Sequence, residues 1–259
     1  MTSTRLSLDR VLVAARFHTA SMWNWRQVYY GRIIEPVTYF VFLAVGIGGA
    51  LASADGRHPE DYLSFVIPGM IAMLAFRSST AAMSDVANDR KWGVFACYRM
   101  YGGGVAGYLA SILIVLTGMY LVQLALILVI AVPLGGLVGT SGGRLASALA
   151  TGVLVSVGWT AVGAAVATRV HSYATRNLIV SVSTLPVILA APLFYPLESA
   201  PEYLKIIARV DPLTYQVDWL RDVWSGSFEG LLWSAIWALL TSAGAISLLR
   251  RAEPLTSER

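Results

Sequence analysis

The chain has 259 residues, 56% of them hydrophobic and only 13% charged, with a formal net charge of +4. A soluble domain carries about 25% charged residues; here the shortfall coincides with long uncharged runs, which excludes a water-soluble globule and points to an integral membrane protein. The single cysteine, Cys97, excludes an intramolecular disulfide framework and a multi-cysteine metal site.

Residues 1–32 are too long and too charged, ahead of the first apolar run, for a cleaved signal. Arg5, Arg10, Arg16, Arg26 and Arg32 are interleaved with Leu8, Val11, Leu12, Ala15, Met22 and Val28. This pattern predicts an amphipathic helix over 1–32 lying in the membrane interface, with Trp23, Trp25, Tyr29 and Tyr30 at headgroup level. Six apolar runs follow, at Ile33–Leu51, Tyr62–Met83, Val105–Val132, Leu145–Thr168, Asn177–Phe194 and Leu231–Leu249. Each is near or above the roughly 20 residues that a spanning helix needs. A β-barrel would show short alternating segments instead. The predicted fold is therefore all-α, with six transmembrane helices in one domain covering 1–259.

Glu35 beside Pro36 reads as the start of the first span, a position where the helix dipole favours a carboxylate. Arg77 is the one clear charge inside a predicted span. It either lines a pathway, locks two helices together, or snorkels from near the end of its span to lipid phosphate. The third span is long enough to tilt. The fifth carries Pro186 and Pro192 and is expected to be kinked or broken.

Two connecting segments are unusual. Ser84–Tyr101 is mixed in charge, compatible with a helix, and stopped by Gly102-Gly103-Gly104. It is either a short helix with its polar tip toward a soluble partner or an ordinary solvated loop. Residues 195–230 hold Pro-bounded turns, aromatics and enough apolar surface to dip back into a bilayer, which is tolerated only inside protein or around a water-filled cavity. Within them, Pro201–Ala208 and Tyr215–Trp224 are candidate short helices, or else a surface hairpin on the span ends. Most Lys and Arg, including Arg90, Lys91, Arg99, Arg169, Arg176, Arg250 and Arg251, fall on the same side as the N-terminus. By the positive-inside rule both ends are then cytoplasmic.

Several chemistries are missing. Lys91 and Lys205 are followed by Trp92 and Ile206, so no phosphate-loop lysine–hydroxyl pair exists. His18, His58 and His171 lie in separate polar segments, and neither a His-Glu-x-x-His zinc helix nor a Gly-x-Ser-x-Gly elbow occurs. The spans lack the paired carboxylates of an intramembrane protease or an ion antiporter.

Several motifs occur together. The first span opens on Glu35-Pro36 and ends in Gly46, Gly48 and Gly49, and the second contains Phe65-x-x-Pro68-Gly69-Met70. Leu193-Phe194-Tyr195-Pro196-Leu197-Glu198 is followed by Asp211-Pro212-Leu213-Thr214-Tyr215-x-Val217-Asp218-x-x-Arg221. Over essentially its whole length the chain resembles the permease subunits of type-2 ABC exporters, in the branch of the nodulation-factor and daunorubicin-resistance permeases. It departs from the family pattern at Gly104-Val105-Ala106-Gly107-Tyr108, where an acidic residue often stands, and at Asp211-Pro212, where Asn-Pro is usual.

The resemblance implies no catalytic, cofactor-binding or metal-binding residues in this chain, ATP and Mg²⁺ being held by a separate ABC ATPase subunit. It implies a second copy of the chain or a related permease as partner, and export from a bacterial cytoplasmic membrane. Residues 84–101 become a coupling helix, with Asp85, Asn88, Asp89, Arg90, Lys91, Trp92 and Tyr98 as ATPase contacts. Residues 195–230 become an outer re-entrant gate built on Phe194, Tyr195, Pro196, Pro212 and Tyr215. Nearly charge-free spans suit an amphipathic or lipid-like substrate, with Tyr39, Phe42, Met73, Phe76 and Arg77 as pathway candidates. No nucleic acid is expected. The rival reading is a transport-inactive sensor or assembly protein of the same fold.

Overall fold

A computed structural model describes residues 8–24, 26–55, 59–170 and 172–252, with backbone alone for 51–55 and 59–60. Trp25, His58 and His171 lie outside the described residues. Among the described residues every regular element is helical. These are α1 (Leu8–Asn24), α2 (Arg26–Tyr39), a π-helical turn (Phe40–Val45), α3 (Gly46–Asp55), α4 (Pro59–Lys91), α5 (Val94–Met100), α6 (Val105–Ala131), α7 (Gly142–Ala167), α8 (Tyr173–Ala190), α9 (Glu202–Val210), α10 (Pro212–Ser225) and α11 (Glu229–Arg251). Six stretches are long and apolar enough to cross a membrane: Arg26–Ala50, Asp61–Lys91, Val105–Leu134, Gly142–Ala167, Tyr173–Ala190 and Glu229–Arg251. The chain is a multi-pass α-helical membrane protein.

Helix α4 is the centre of the bundle. It packs along α7, which packs in turn along α11. Lipid tails are as apolar as leucine, so helices in a membrane associate through close packing rather than through the hydrophobic effect. The buried face of α7 shows how: Ala148, Thr151, Gly152, Ser156, Gly158, Thr160, Ala161, Gly163, Ala164 and Ala167 are small, with Val155 and Trp159 the larger exceptions. A Cβ placed on Gly163 would sit 2.0 Å from the Ser79 carbonyl oxygen of α4. Around this seam, Met70, Ile71, Leu74, Tyr120, Leu193, Leu213 and Val217 form the fully buried core. By contrast α8 presents Leu178, Val182, Leu185 and Leu189 outward, and α11 presents Leu232, Leu239 and Leu240.

Several expectations shift at element boundaries. The helix expected over 1–32 ends at Asn24, and Arg26–Arg32 belong to the first spanning helix. Glu35 is therefore inside α2, not at its start, and Pro36 is a buried interior proline. Its fixed φ fits a helix; what it removes is one backbone donor. Helix α8 runs unbroken through Pro186. It stops at Ala190, because Ala191 precedes Pro192 and is extended (ψ 141°). The short helix expected within Ser84–Tyr101 is two elements. Ser84–Lys91 are the last turns of α4, and after Gly93 (φ 77°) the chain restarts as α5. A left-handed residue is needed there, and glycine alone adopts it freely. At 33 residues α4 is about 50 Å long, against a hydrocarbon core of about 30 Å, so its last turns project beyond any membrane that its apolar part spans. Pro201–Ala208 and Tyr215–Trp224 do fall within helices, α9 and α10.

Candidate functional site

A cluster of polar side chains gathers at the end of the bundle where α4 finishes. Helix α1 contributes a stripe at helical spacing, Val11, Ala14, Ala15 and His18, that is buried on α6. Helical periodicity turns Asp85, Asn88 and Asp89 toward α1, α2, α6 and α8. Tyr108 Oη on α6 donates to Asp89 Oδ2 at 2.6 Å, and His18 Nε2 lies 3.7 Å from the same oxygen. Burial pushes the His18 pKa below its ordinary value, against the opposing pull of the Asp85 carboxylate. Arg90 Nη1 donates at 2.8 Å to the carbonyl of Ala167, the last residue of α7, which also accepts from the Val170 amide at 3.3 Å. Arg176 on α8 donates to Asn88 Oδ1 at 3.1 Å. Lys91 Nζ sits 3.9 Å from the centroid of the Tyr173 ring, and Trp92 Nε1 donates to Tyr173 Oη at 3.2 Å.

The fate of the expected partner-facing residues is therefore mixed. Asp89 and Arg90 are buried and Asp85 and Asn88 half-buried, all committed to neighbouring helices, whereas Lys91 and Trp92 are exposed. Tyr98 on α5 is half-buried against Gly103 and near the Tyr108 ring. The acids turn inward because α4 continues as one helix, which keeps positions 85 and 89 on the face that packs.

Two Arg–carboxylate pairs tie α2 to α4 farther along. Arg32 grips Asp85 through both guanidinium nitrogens, at 2.9 and 3.1 Å. Arg77 grips Glu35 in the same bidentate manner, Nη1 to Oε1 at 2.9 Å. Arg77 thus joins α4 to α2, and it also lines a cavity. Glu35 was not legible as its partner, because the boundary expected at Pro36 placed it outside the helix interior. Gln123 on α6 is buried and donates at 2.9 Å to the backbone carbonyl of Arg32.

Between these ties lies open space. A cleft of about 390 Å³ is bounded by α1, α2, α4, α6 and α8, with Tyr29, Asn88, Leu116 and Tyr173 in its walls. A second cavity of about 120 Å³ includes Arg77, Thr80, Met119, Gln123 and Val180. Both are lined by Arg32, Ser84 and Leu116, so they lie side by side over the α4 face that carries Arg77, Ser84 and Asn88. Of the other pathway candidates, Phe42 is exposed and Tyr39 half-buried, while Met73 and Phe76 are sealed in the core of the chain itself, Phe76 edge-on to Trp159 at 4.9 Å. Among the described residues there is no group of three or more His, Cys, Asp or Glu placed to hold a metal.

At the opposite end, Tyr62 Oη donates to the Phe194 carbonyl at 2.9 Å and Arg221 donates to the Pro192 carbonyl at 2.6 Å while stacking 4.1 Å over Phe65. Tyr195 Oη donates to the Leu189 carbonyl at 2.8 Å, and Tyr215 Oη to the Arg209 carbonyl at 2.7 Å. Pro196 and Pro212 are exposed. Asp211 caps α10, its Oδ1 accepting from the Leu213 amide at 3.0 Å, and burial pushes its pKa up to about 6. Gln216 of α10 accepts from the Trp159 indole, deep along α7.

The sequence model of the family described as ABC-2 type transporter matches residues 10–224, and the chain belongs to that family. No curated protein matches it. The family is one of membrane-embedded transporter components that work with an ABC ATPase.

Proposed function

Starting from that membership, we propose that the chain is the permease subunit of an ATP-driven exporter that moves an amphipathic or lipid-like substrate out of the cytoplasm of a bacterium. The end bearing Lys91 and both termini face the cytoplasm, the orientation favoured by the distribution of Lys and Arg. Helix α1 lies in the membrane interface. Its outward Leu12, Phe17 and Trp23 are exposed in the protomer and suit that setting. Two permeases pair, and two ATPase subunits, which hold ATP and Mg²⁺, dock beneath them. Helices α9 and α10 re-enter the membrane from outside, since Gln216 reaches Trp159 far along α7. With Phe194, Tyr195, Pro196, Pro212 and Tyr215 they form the outer gate.

The observation that carries this reading is mechanical. Helix α4 passes in one piece from the packed core to the exposed Lys91 and Trp92. Just before it ends, Asp85, Asn88, Asp89 and Arg90 join it to α1, α2, α6, α7 and α8. Force applied at Lys91–Trp92 then moves five helices together, and packed elements answer such displacements by discrete shifts. The ATPase contact is accordingly centred on Lys91 and Trp92, while Asp85, Asn88, Asp89, Arg90 and Tyr98 brace it from behind.

Co-purification with a co-expressed ABC ATPase, followed by ATP-dependent movement of a fluorescent amphiphile in proteoliposomes, tests the proposal. Lys91→Glu with Trp92→Ala should release the ATPase from a folded permease, and a hydrolysis-dead ATPase should abolish movement. Retained ATPase without any ATP-dependent movement would transfer the chain to the sensor or assembly reading.

A further inference from the structure

Pro36 leaves a specific gap in α2. A proline inside a helix has no N–H, so the carbonyl four residues earlier, that of Arg32, loses its partner and is pushed outward by the ring. An orphan carbonyl within a membrane-spanning segment is costly unless another donor reaches it. Gln123 reaches it: Nε2 donates to the Arg32 oxygen at 2.9 Å, and the side chain is 7% exposed within an otherwise apolar part of α6. The helical ladder is altered a second time just beyond, in the π-helical turn Phe40–Val45. Proline and π-turns are both recognised origins of a bend in a long helix. Below this weak segment α2 is held at three points, by Asp85, by Arg77 and by Gln123.

We infer that Gln123 is a positioning residue: its side-chain amide stands in for the backbone donor that Pro36 removes, and so fixes the lower half of α2 against α6 below a hinge at Pro36–Val45. The lower half of α2 then moves with the ends of α4 and α6 as one body, and the hinge takes up the change of angle toward α3. Its part in a transport cycle rests on the function proposed above; the hydrogen-bond substitution itself does not.

The two residues are coupled in a way that ordinary burial of a glutamine is not. Restoring the missing N–H by Pro36→Ala returns the Arg32 carbonyl to the helix and makes Gln123 dispensable. The test uses the full chain in lipid nanodiscs, with Cys97→Ser and spin labels at the exposed positions Tyr30 and Val129. Pulsed electron–electron resonance is expected to give one narrow distance population for the parent and for Pro36→Ala. Gln123→Met, which keeps length and removes the donor, should add a second, shifted population. Pro36→Ala combined with Gln123→Met should return to one population. A parent-like distribution for Gln123→Met overturns the inference, and so does a failure of Pro36→Ala to rescue it. If Gln123→Met does not accumulate as folded protein, the double variant must do so, and its failure overturns the inference equally. The distances need neither ATPase nor substrate, so a negative transport assay has no bearing on whether Gln123 replaces the missing donor.

Discussion

Replacing Gly163 by alanine adds a single methyl group where α7 lies directly against the backbone of α4. The new Cβ would lie 2.0 Å from the Ser79 carbonyl oxygen, 2.8 Å from its carbon and 2.9 Å from its Cα. All three are backbone atoms, so no side chain can swing aside. Ordinary contact requires α7 to withdraw by about 1.4 Å, and a gap of about 1 Å already forfeits up to about half of each neighbouring dispersion contact. Overpacking of this kind costs about 1–3 kcal/mol, and a backbone obstacle places it near the upper end. Helix preference for alanine returns about 1 kcal/mol, leaving a net loss of about 2 kcal/mol, or about 4–8 °C in Tm for a chain of this size. Gly118 on α6 is the internal control: it is exposed, and a Cβ there meets nothing within 4 Å. Gly118→Ala should hold or raise Tm by a few degrees. Thermal unfolding in detergent, followed by size-exclusion fluorescence, compares the two. A Gly163→Ala protein as stable as Gly118→Ala would refute the packing argument.

Two further outcomes follow from the charged groups. Glu35→Ala leaves Arg77 without its carboxylate. A fully buried pair would lose about 3–5 kcal/mol, but the Glu35 side chain is 47% exposed, so about 1–2 kcal/mol is expected after solvent screening. The double reversal Glu35→Arg with Arg77→Glu should recover most of it in a double-mutant cycle. Asp211 has its folded pKa raised to about 6 by burial, so between its unfolded pKa and 6 the folded state holds more protons than the unfolded one, and stability falls as pH rises through that window. Asp211→Asn keeps an N-cap acceptor and removes the buried charge. The variant should exceed the parent by about 1–2 kcal/mol at pH 8 and lose that advantage toward pH 5, read as Tm against pH.

The sequence by itself determined the class of molecule and the number of spans. Composition and six uninterrupted apolar runs leave α-helices as the economical way to satisfy every backbone group in a bilayer, and the structure has six such helices. The short helices between the fifth and sixth spans were partly legible: Pro201–Ala208 and Tyr215–Trp224 stood as candidate helices, and the second begins three residues earlier than expected, at Pro212 after the Asp211 cap. The sequence did not determine which charges meet. Glu35 and Arg77 are 42 positions apart, Arg32 and Asp85 53 apart. Their pairing depends on where α2 begins and on how it lies across α4, which is set by packing between helices and carries no local signal. The same holds for Asp89 and Arg90. As a segment they read as a short helix with its polar tip toward a partner, or as a solvated loop, and only the continuation of α4 past its apolar part, with Tyr108 and Ala167 brought beside it, turns them inward. Gln123 was silent for the same reason: a lone amide in an apolar run acquires meaning only when the fold sets it against the one carbonyl that Pro36 has left without a donor.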